Sequence, residues 1–131
     1  MITRFKRLTL VKVRIPDDNL NSEVQWFSES FGLFSQRDKD KSCFRLFIAL
    51  LQAKRPMSSN ELAYKLNLSR ATVIHHLNKL ISCGLIIIEG NKYILREKNL
   101  ELSLKRIKED LISTFEEMEA EAKRIDKKLK N

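Results

Sequence analysis

Hydrophobic and polar positions alternate or recur in seven stretches of the chain, and each period predicts an element. In "LTLVKVRI", residues 8–15, Val11, Val13 and Ile15 fall on one side and Lys12 and Arg14 on the other. That period of two predicts a half-buried strand, ended by Pro16-Asp17-Asp18. Leu20, Val24, Phe27 and Phe31 then recur at helical spacing, and Gly32 closes that short helix. Trp26, Phe27, Phe31 and Phe34 are half of the Trp and Phe residues in the chain. They suit either a lid over the core or a packing surface for a second subunit.

From Asp38 the pattern is regular. "DKDKSCFRLFIALLQAK" predicts a helix with Phe44, Phe47, Ile48 and Leu51 inward and Asp38 or Asp40 near its positive end. Pro56 stops it. In "SSNELAYKL", Ser58 and Glu61 form a capping box, and Leu62, Ala63 and Leu66 point inward. "NLS" is a tight turn with Leu68 as a buried plug, and Ser69 caps the next helix, which Gly84 ends. "LIIIEGNKYIL" predicts a hairpin turning at Gly90-Asn91. Helix, helix, turn, helix and hairpin make a winged helix-turn-helix. The fold class expected is mainly α with a small β-hairpin, an N-terminal strand and a long C-terminal helix.

Residues 100–130 lack Gly and Pro. Leu104, Ile107, Leu111, Phe115, Met118, Ala122, Ile125 and Leu129 recur at spacings of 3, 4, 4, 3, 4, 3 and 4. This is a heptad-like seam with one stutter near Phe115. A helix of ~45 Å cannot bury such a seam on a domain of about 60 residues, so a second copy of the helix is the economical partner. The plainer use is to fold back along the N-terminal segments, and the pattern leaves parallel and antiparallel pairing open. The expected division is 1–36 as strand and aromatic helix, 37–96 as winged domain, and 97–131 as dimerisation helix.

Charge adds direction to this outline. The formal net charge is +8 in 131 residues. Leu100 to Asn131 carries eight basic and eight acidic residues, so the whole excess sits in residues 1–99. A basic body with a neutral helix suits a polyanion-binding domain. The cysteines, Cys43 and Cys83, are too few for a disulfide framework and fit a reducing compartment. The apolar run at the start is short and broken by Lys12 and Arg14, which makes neither a signal peptide nor a membrane span. A cytoplasmic location is expected, with no membrane partner.

The candidate chemistry centres on "SRATVIHHLNKLISCGLI", residues 69–86. With Val73 inward, Leu77 and Leu80 share its side and Ile81 its edge, at about 100° per residue. Ala71, Ile74, His75 and Asn78 face outward, flanked by Thr72 and Lys79. In a major groove the early outward residues Ala71, Thr72, Ile74 and His75 would meet base edges. Ser69, Arg70, Asn78 and Lys79 suit phosphates, with Ser59 and Asn60 at the preceding helix start and Asn91, Lys92 and Arg96 in the hairpin. Glu89 beside that tight turn limits the wing to a shallow contact. His76 lies beside the buried stripe and reads as a hydrogen-bonded, partly buried side chain. Adjacent histidines point about 100° apart and cannot grip one ion as an i, i+4 pair does. No Cys-x-x-Cys, nucleophile elbow, phosphate loop or carboxylate pair is present, so neither metal, cofactor nor enzyme activity is expected.

"ELAYKLNLSRATVIHHLNKLISCGLI" resembles the central segment of the ArsR/MarR-like winged-helix transcription regulators, most of all their small archaeal members. Glu61, Leu62, Ala63, Leu68, Ser69, Thr72, Val73, Leu77, Leu80, Gly84 and Leu85 carry the likeness, which spans roughly residues 38–96. The resemblance implies double-stranded DNA as partner, contacts from residues 69–79 and from Asn91 and Lys92, and dimerisation through terminal helices. Metal-sensing members use clustered cysteines or carboxylate–histidine sets that this chain lacks. No small-molecule effector is identifiable. The expected function is a homodimeric, sequence-specific DNA-binding regulator. The alternatives are a winged-helix adaptor between proteins and a non-specific architectural DNA binder.

Overall fold

The computed structural model describes residues 6–33 and 41–130. Five helices and one hairpin follow in the order α1 (Leu20–Ser30), α2 (Ser42–Ala53), α3 (Ser59–Leu66), α4 (Arg70–Ser82), β1 (Ile86–Glu89), β2 (Lys92–Leu95) and α5 (Leu100–Lys130). The core is formed by Phe47, Leu46 and Leu50 of α2, Leu62 of α3, Val73, Leu77 and Leu80 of α4, and Leu85 and Ile86.

Local signals place the central elements. Ser58 accepts from the Glu61 N–H at 3.1 Å while the Glu61 carboxylate accepts from the Ser58 N–H, so two orphan donors are satisfied at the start of α3. Asn67 ends α3 in the left-handed region at φ 54°, which turns the chain sharply into α4. Leu68 packs against the core but is only half-buried, less than the buried plug expected. The strands pair antiparallel with Ile86 opposite Leu95 and Glu89 opposite Lys92. Met57 adds a bridge the periodicity did not announce: it exchanges backbone hydrogen bonds of 2.9 and 2.8 Å with Tyr93. The wing is thereby tied to the residue just before the cap of α3.

Three expectations change. Residues 8–15 form no strand: no described segment pairs with them, and Leu10, Val11 and Ile15 are exposed. Instead, the Val11 N–H donates to the Ser30 carbonyl and the Trp26 indole N–H to the Val13 carbonyl, fastening an extended segment along α1. The inward stripe of α2 is Cys43, Leu46, Phe47 and Leu50, with Phe44, Ile48 and Leu51 only half-buried. The helix is apolar nearly all round, so spacing alone did not fix its phase. Ile107, expected in the seam between subunits, is 2% exposed and belongs to the core of its own chain. Phe34, Asp38 and Asp40 lie outside the described residues.

The aromatic segment serves as a lid. Phe27 stacks on Phe31 with ring centres 4.8 Å apart and on Phe47 at 5.8 Å, closing the core from the α1 side. The start of α5 is anchored by Asn99, whose side chain accepts from the Leu102 N–H at 2.8 Å. Ser103 and Ile107 are buried beneath it. Beyond Thr114 every described residue of α5 is exposed, so the helix leaves the body as a free rod.

Candidate nucleic-acid interface

The outer face of α4 begins at its cap. Ser69 Oγ accepts from the Thr72 N–H at 3.1 Å and donates to Thr72 Oγ1 at 2.8 Å. The Thr72 hydroxyl hydrogen is then left to donate outward, although the side chain itself is half-buried. Arg70, Ala71, His75 and Asn78 are exposed along one side of the helix, while Val73, Leu77 and Leu80 are fully buried on the other. Ile74 is not the open apolar group expected: it is half-buried and packs against the core. Lys79 is also half-buried, and its ammonium donates to the Leu33 carbonyl at 3.2 Å.

The two histidines divide as their angular separation requires. His75 faces out. His76 is buried and shares a hydrogen bond of 2.6 Å with Ser42 Oγ, which ties α4 to the first turn of α2. No group of three or more His, Cys, Asp or Glu side chains among the described residues is arranged to hold a metal ion. Cys43 and Cys83 are both buried. Burial pushes the Cys83 thiol up to about 11. At neutral pH its thiolate fraction is then ~10⁻⁴, far below that of a sensing cysteine. A coloured disulfide reagent should therefore label the native protein no faster than the protein opens. Rapid labelling of one thiol at neutral pH without denaturant would contradict this.

The remaining predicted contacts scatter. Asn60 is exposed at the start of α3, but Ser59 is buried and turned away from solvent. Asn91 and Lys92 stand exposed at the tip of the hairpin. Arg96 does not: its guanidinium lies 2.8 Å from the Asp110 carboxylate, with side chains 9% and 16% exposed. The N–H bonds do not point along that contact, so it is an ion pair rather than an aligned hydrogen bond. It fastens the wing to α5. Sequence reasoning passed over Tyr64, which is 92% exposed on α3 beside exposed Lys65. The signal was present, because Tyr64 lies about 200° from the inward Leu62 at helical spacing. Arg55 meets Glu61 on the same side of the molecule, and that hydrogen bond holds the Glu61 carboxyl below its usual range.

Capped α3, tight turn, α4 with one polar open face, and a hairpin packed behind it define a winged helix-turn-helix, mostly helical with a long C-terminal helix. Residues 45–87 match the family model described as "Bacterial regulatory protein, arsR family". That segment, which holds most of α2 with α3, the turn and α4, is thus similar to the helix-turn-helix domain of that family of regulators. The match covers about a third of the chain and leaves out α1, β2 and α5. No curated protein matches the sequence. Among solved structures, a protein from the thermoacidophilic archaeon Sulfolobus tokodaii is 29% identical, with 63% of this chain and 82% of that one covered and a TM-score of 0.43. No helix among the described residues is long and apolar enough to cross a membrane.

Proposed function

We propose that the protein is a homodimeric, sequence-specific regulator of transcription that lays α4 in the major groove of double-stranded DNA. The observation that carries this reading is the division of α4: an aliphatic side sealed into the core and an outer side of Arg70, Ala71, His75 and Asn78 open to solvent. Ala71, Thr72 and His75 are the base-reading residues, with Ile74 reduced to the edge of that face. Ser69, Arg70, Asn78 and Lys79 meet phosphates, and Asn60, Asn91 and Lys92 extend those contacts from the α3 start and the wing. The wing contact is shallow, because Glu89 stands opposite Lys92 in the hairpin.

Dimerisation rests on the free part of α5. Phe115, Met118, Ala122, Ile125 and Leu129 keep seam spacing and are exposed in the single chain, and nearer the body the seam continues through exposed Leu104 and half-buried Leu111. Two such helices, paired, would present two copies of α4 to one side of a duplex. Their centres would lie about one turn apart, ~34 Å or 10 base pairs, or a multiple of that. Selection of bound fragments from random DNA should return an inverted repeat with that spacing. One asymmetric half-site would reject the symmetric mode. Tight low-salt binding without enrichment would favour an architectural role, and no binding would favour a protein adaptor.

Single substitutions sort the contacts. Arg70→Ala should weaken binding to matched and scrambled duplexes alike and flatten its salt dependence. His75→Ala should relax the preference at one base position, with a loss at or below the ~1–3 kcal/mol of a bidentate contact. Gel shifts on both duplexes distinguish the two behaviours. Equal losses everywhere from His75→Ala would mean that His75 reads no base.

A further inference from the structure

A cleft of about 600 Å³ runs along the far half of the outer α4 face. His75, Asn78, Lys79 and Ser82 form one wall, while Arg7, Thr9, Gly32 and Leu33 form the other. It is continuous with the open face, because His75 and Asn78 belong to both. Arg7 and Lys79 contribute two cations, and no carboxylate is among its described lining residues.

The second wall is built into place. The Lys6 and Arg7 N–H groups both donate to the Ser82 carbonyl, at 2.7 and 3.0 Å, capping the end of α4. Two residues beyond Thr9, the Val11 N–H donates to the Ser30 carbonyl at 2.8 Å. Thr9 presses against Gly32, where a Cβ would come within 3.1 Å of the Thr9 methyl and φ is +63°. Only glycine accepts both the close approach and the left-handed backbone. The Arg7 backbone is thus fixed while its exposed side chain makes no ion pair among the described residues. Lys79 spends one of its three N–H donors on Leu33, and two remain.

We propose that this cleft seats a backbone phosphate of the same duplex whose major groove receives α4, so that the N-terminal segment is a second DNA-contacting element. The inference rests on the DNA-binding reading above. It adds a contact from residues outside the 45–87 match, at the edge of the face rather than at its reading centre. Two cations lining one cleft with neutral donors suit an anion, and the fixed backbone lowers the ordering cost of using it. A free phosphate-bearing small molecule offers the same chemistry, and the two sources are separable.

The test is the salt dependence of binding to a scrambled duplex a few turns long, with Arg70→Ala as reference. Arg7→Ala keeps the backbone N–H that caps α4, so the fold is retained, which the thermal melt checks. It should weaken binding about tenfold at low salt and reduce the slope of log K against log salt by ~0.9 per protomer. Arg7→Lys should restore the slope. Lys12→Ala, a cation of the same segment outside the cleft, should leave it unchanged. A full slope in Arg7→Ala beside a reduced one in Arg70→Ala overturns the inference and leaves the DNA-binding reading standing. Saturable binding of inorganic phosphate, seen in the His75 and Asn78 amide resonances and lost in Arg7→Ala while the DNA slope stays full, assigns the cleft to a free anion and also overturns it. If the native chain binds no duplex, the reading and the inference fall together.

Discussion

Replacing both Phe115 and Met118 by aspartate should convert the protein from dimer to monomer without unfolding its winged domain. The two side chains are 54% and 59% exposed in the single chain, on a helix whose last sixteen described residues are all exposed. Paired across a seam, four such side chains per dimer would lose most of that exposure. Burying a Phe or Met side chain fully stabilises by about 1.5–3 kcal/mol, so four half-burials amount to roughly 3–6 kcal/mol. That is ~10²–10⁴-fold in dimer dissociation before the cost of seating carboxylates in an apolar seam. Size-exclusion light scattering at tens of micromolar reads the mass, and the thermal melt reports the domain. The melt of the native chain should depend on concentration and that of the double variant should not. A variant still dimeric would move the interface to the apolar cleft of Pro16, Leu20, Val24, Trp26 and Leu100 on the α1 side.

Truncation is a poorer probe, and the reason lies in the first turns of α5. A chain ending at Lys98 would lose Ser103, Ile107 and Asp110 together, two of them buried and the third paired to Arg96. It would expose core and abolish an ion pair before saying anything about dimerisation. A chain ending at Ser113 keeps all three and removes only the exposed rod.

How far the sequence disclosed this arrangement depended on whether the deciding interaction was local. The α3–turn–α4 unit was legible residue by residue, because Ser58, Glu61, Ser69 and Leu68 act within one helical turn of themselves. The hairpin was legible for the same reason. Residues 8–15 misled because alternation is necessary for a strand but a strand also needs a partner ladder, and here the backbone bonds go to Ser30 and the Trp26 indole instead. In α2 the apolar residues cover most of the circumference, so Phe44, Ile48 and Leu51 and their neighbours Cys43, Phe47 and Leu50 fit a helical stripe equally well. Ile107 fitted the seam by spacing alone. What buried it was the angle at which α5 leaves the wing, a tertiary fact. On the candidate interface, the outward residues of α4 followed from one inward reference, while the Lys79 bond to Leu33 and the cleft beside Arg7 depend on contacts across the fold.

Arg96 shows how much a misplaced cation matters, and its substitution should have the other large effect. At the end of a basic wing it resembled a phosphate contact, yet it sits in a nearly buried pair with Asp110, 14 residues further along the chain. Arg96→Ala leaves the Asp110 carboxylate without its cation in a site that water reaches poorly. Removing one partner from a buried pair costs about 3–5 kcal/mol, and some residual exposure places this one at the lower end. For a chain of this size ~3 kcal/mol lowers Tm by roughly 10 °C. Calorimetry on Arg96→Ala checks the loss, and the double variant Arg96→Met with Asp110→Leu should recover much of it, since two apolar groups leave no buried charge unpaired. At a temperature where Arg96→Ala remains folded, its DNA salt slope should equal that of the native protein, whereas Arg70→Ala should have lost its share. A variant that melts like the native chain but loses slope would return Arg96 to the DNA face and detach the wing from α5. The opposite result makes the wing a structural strut. Asp110 then holds the hairpin against α5 through Arg96, and Lys92 and Asn91 alone are left to reach the duplex.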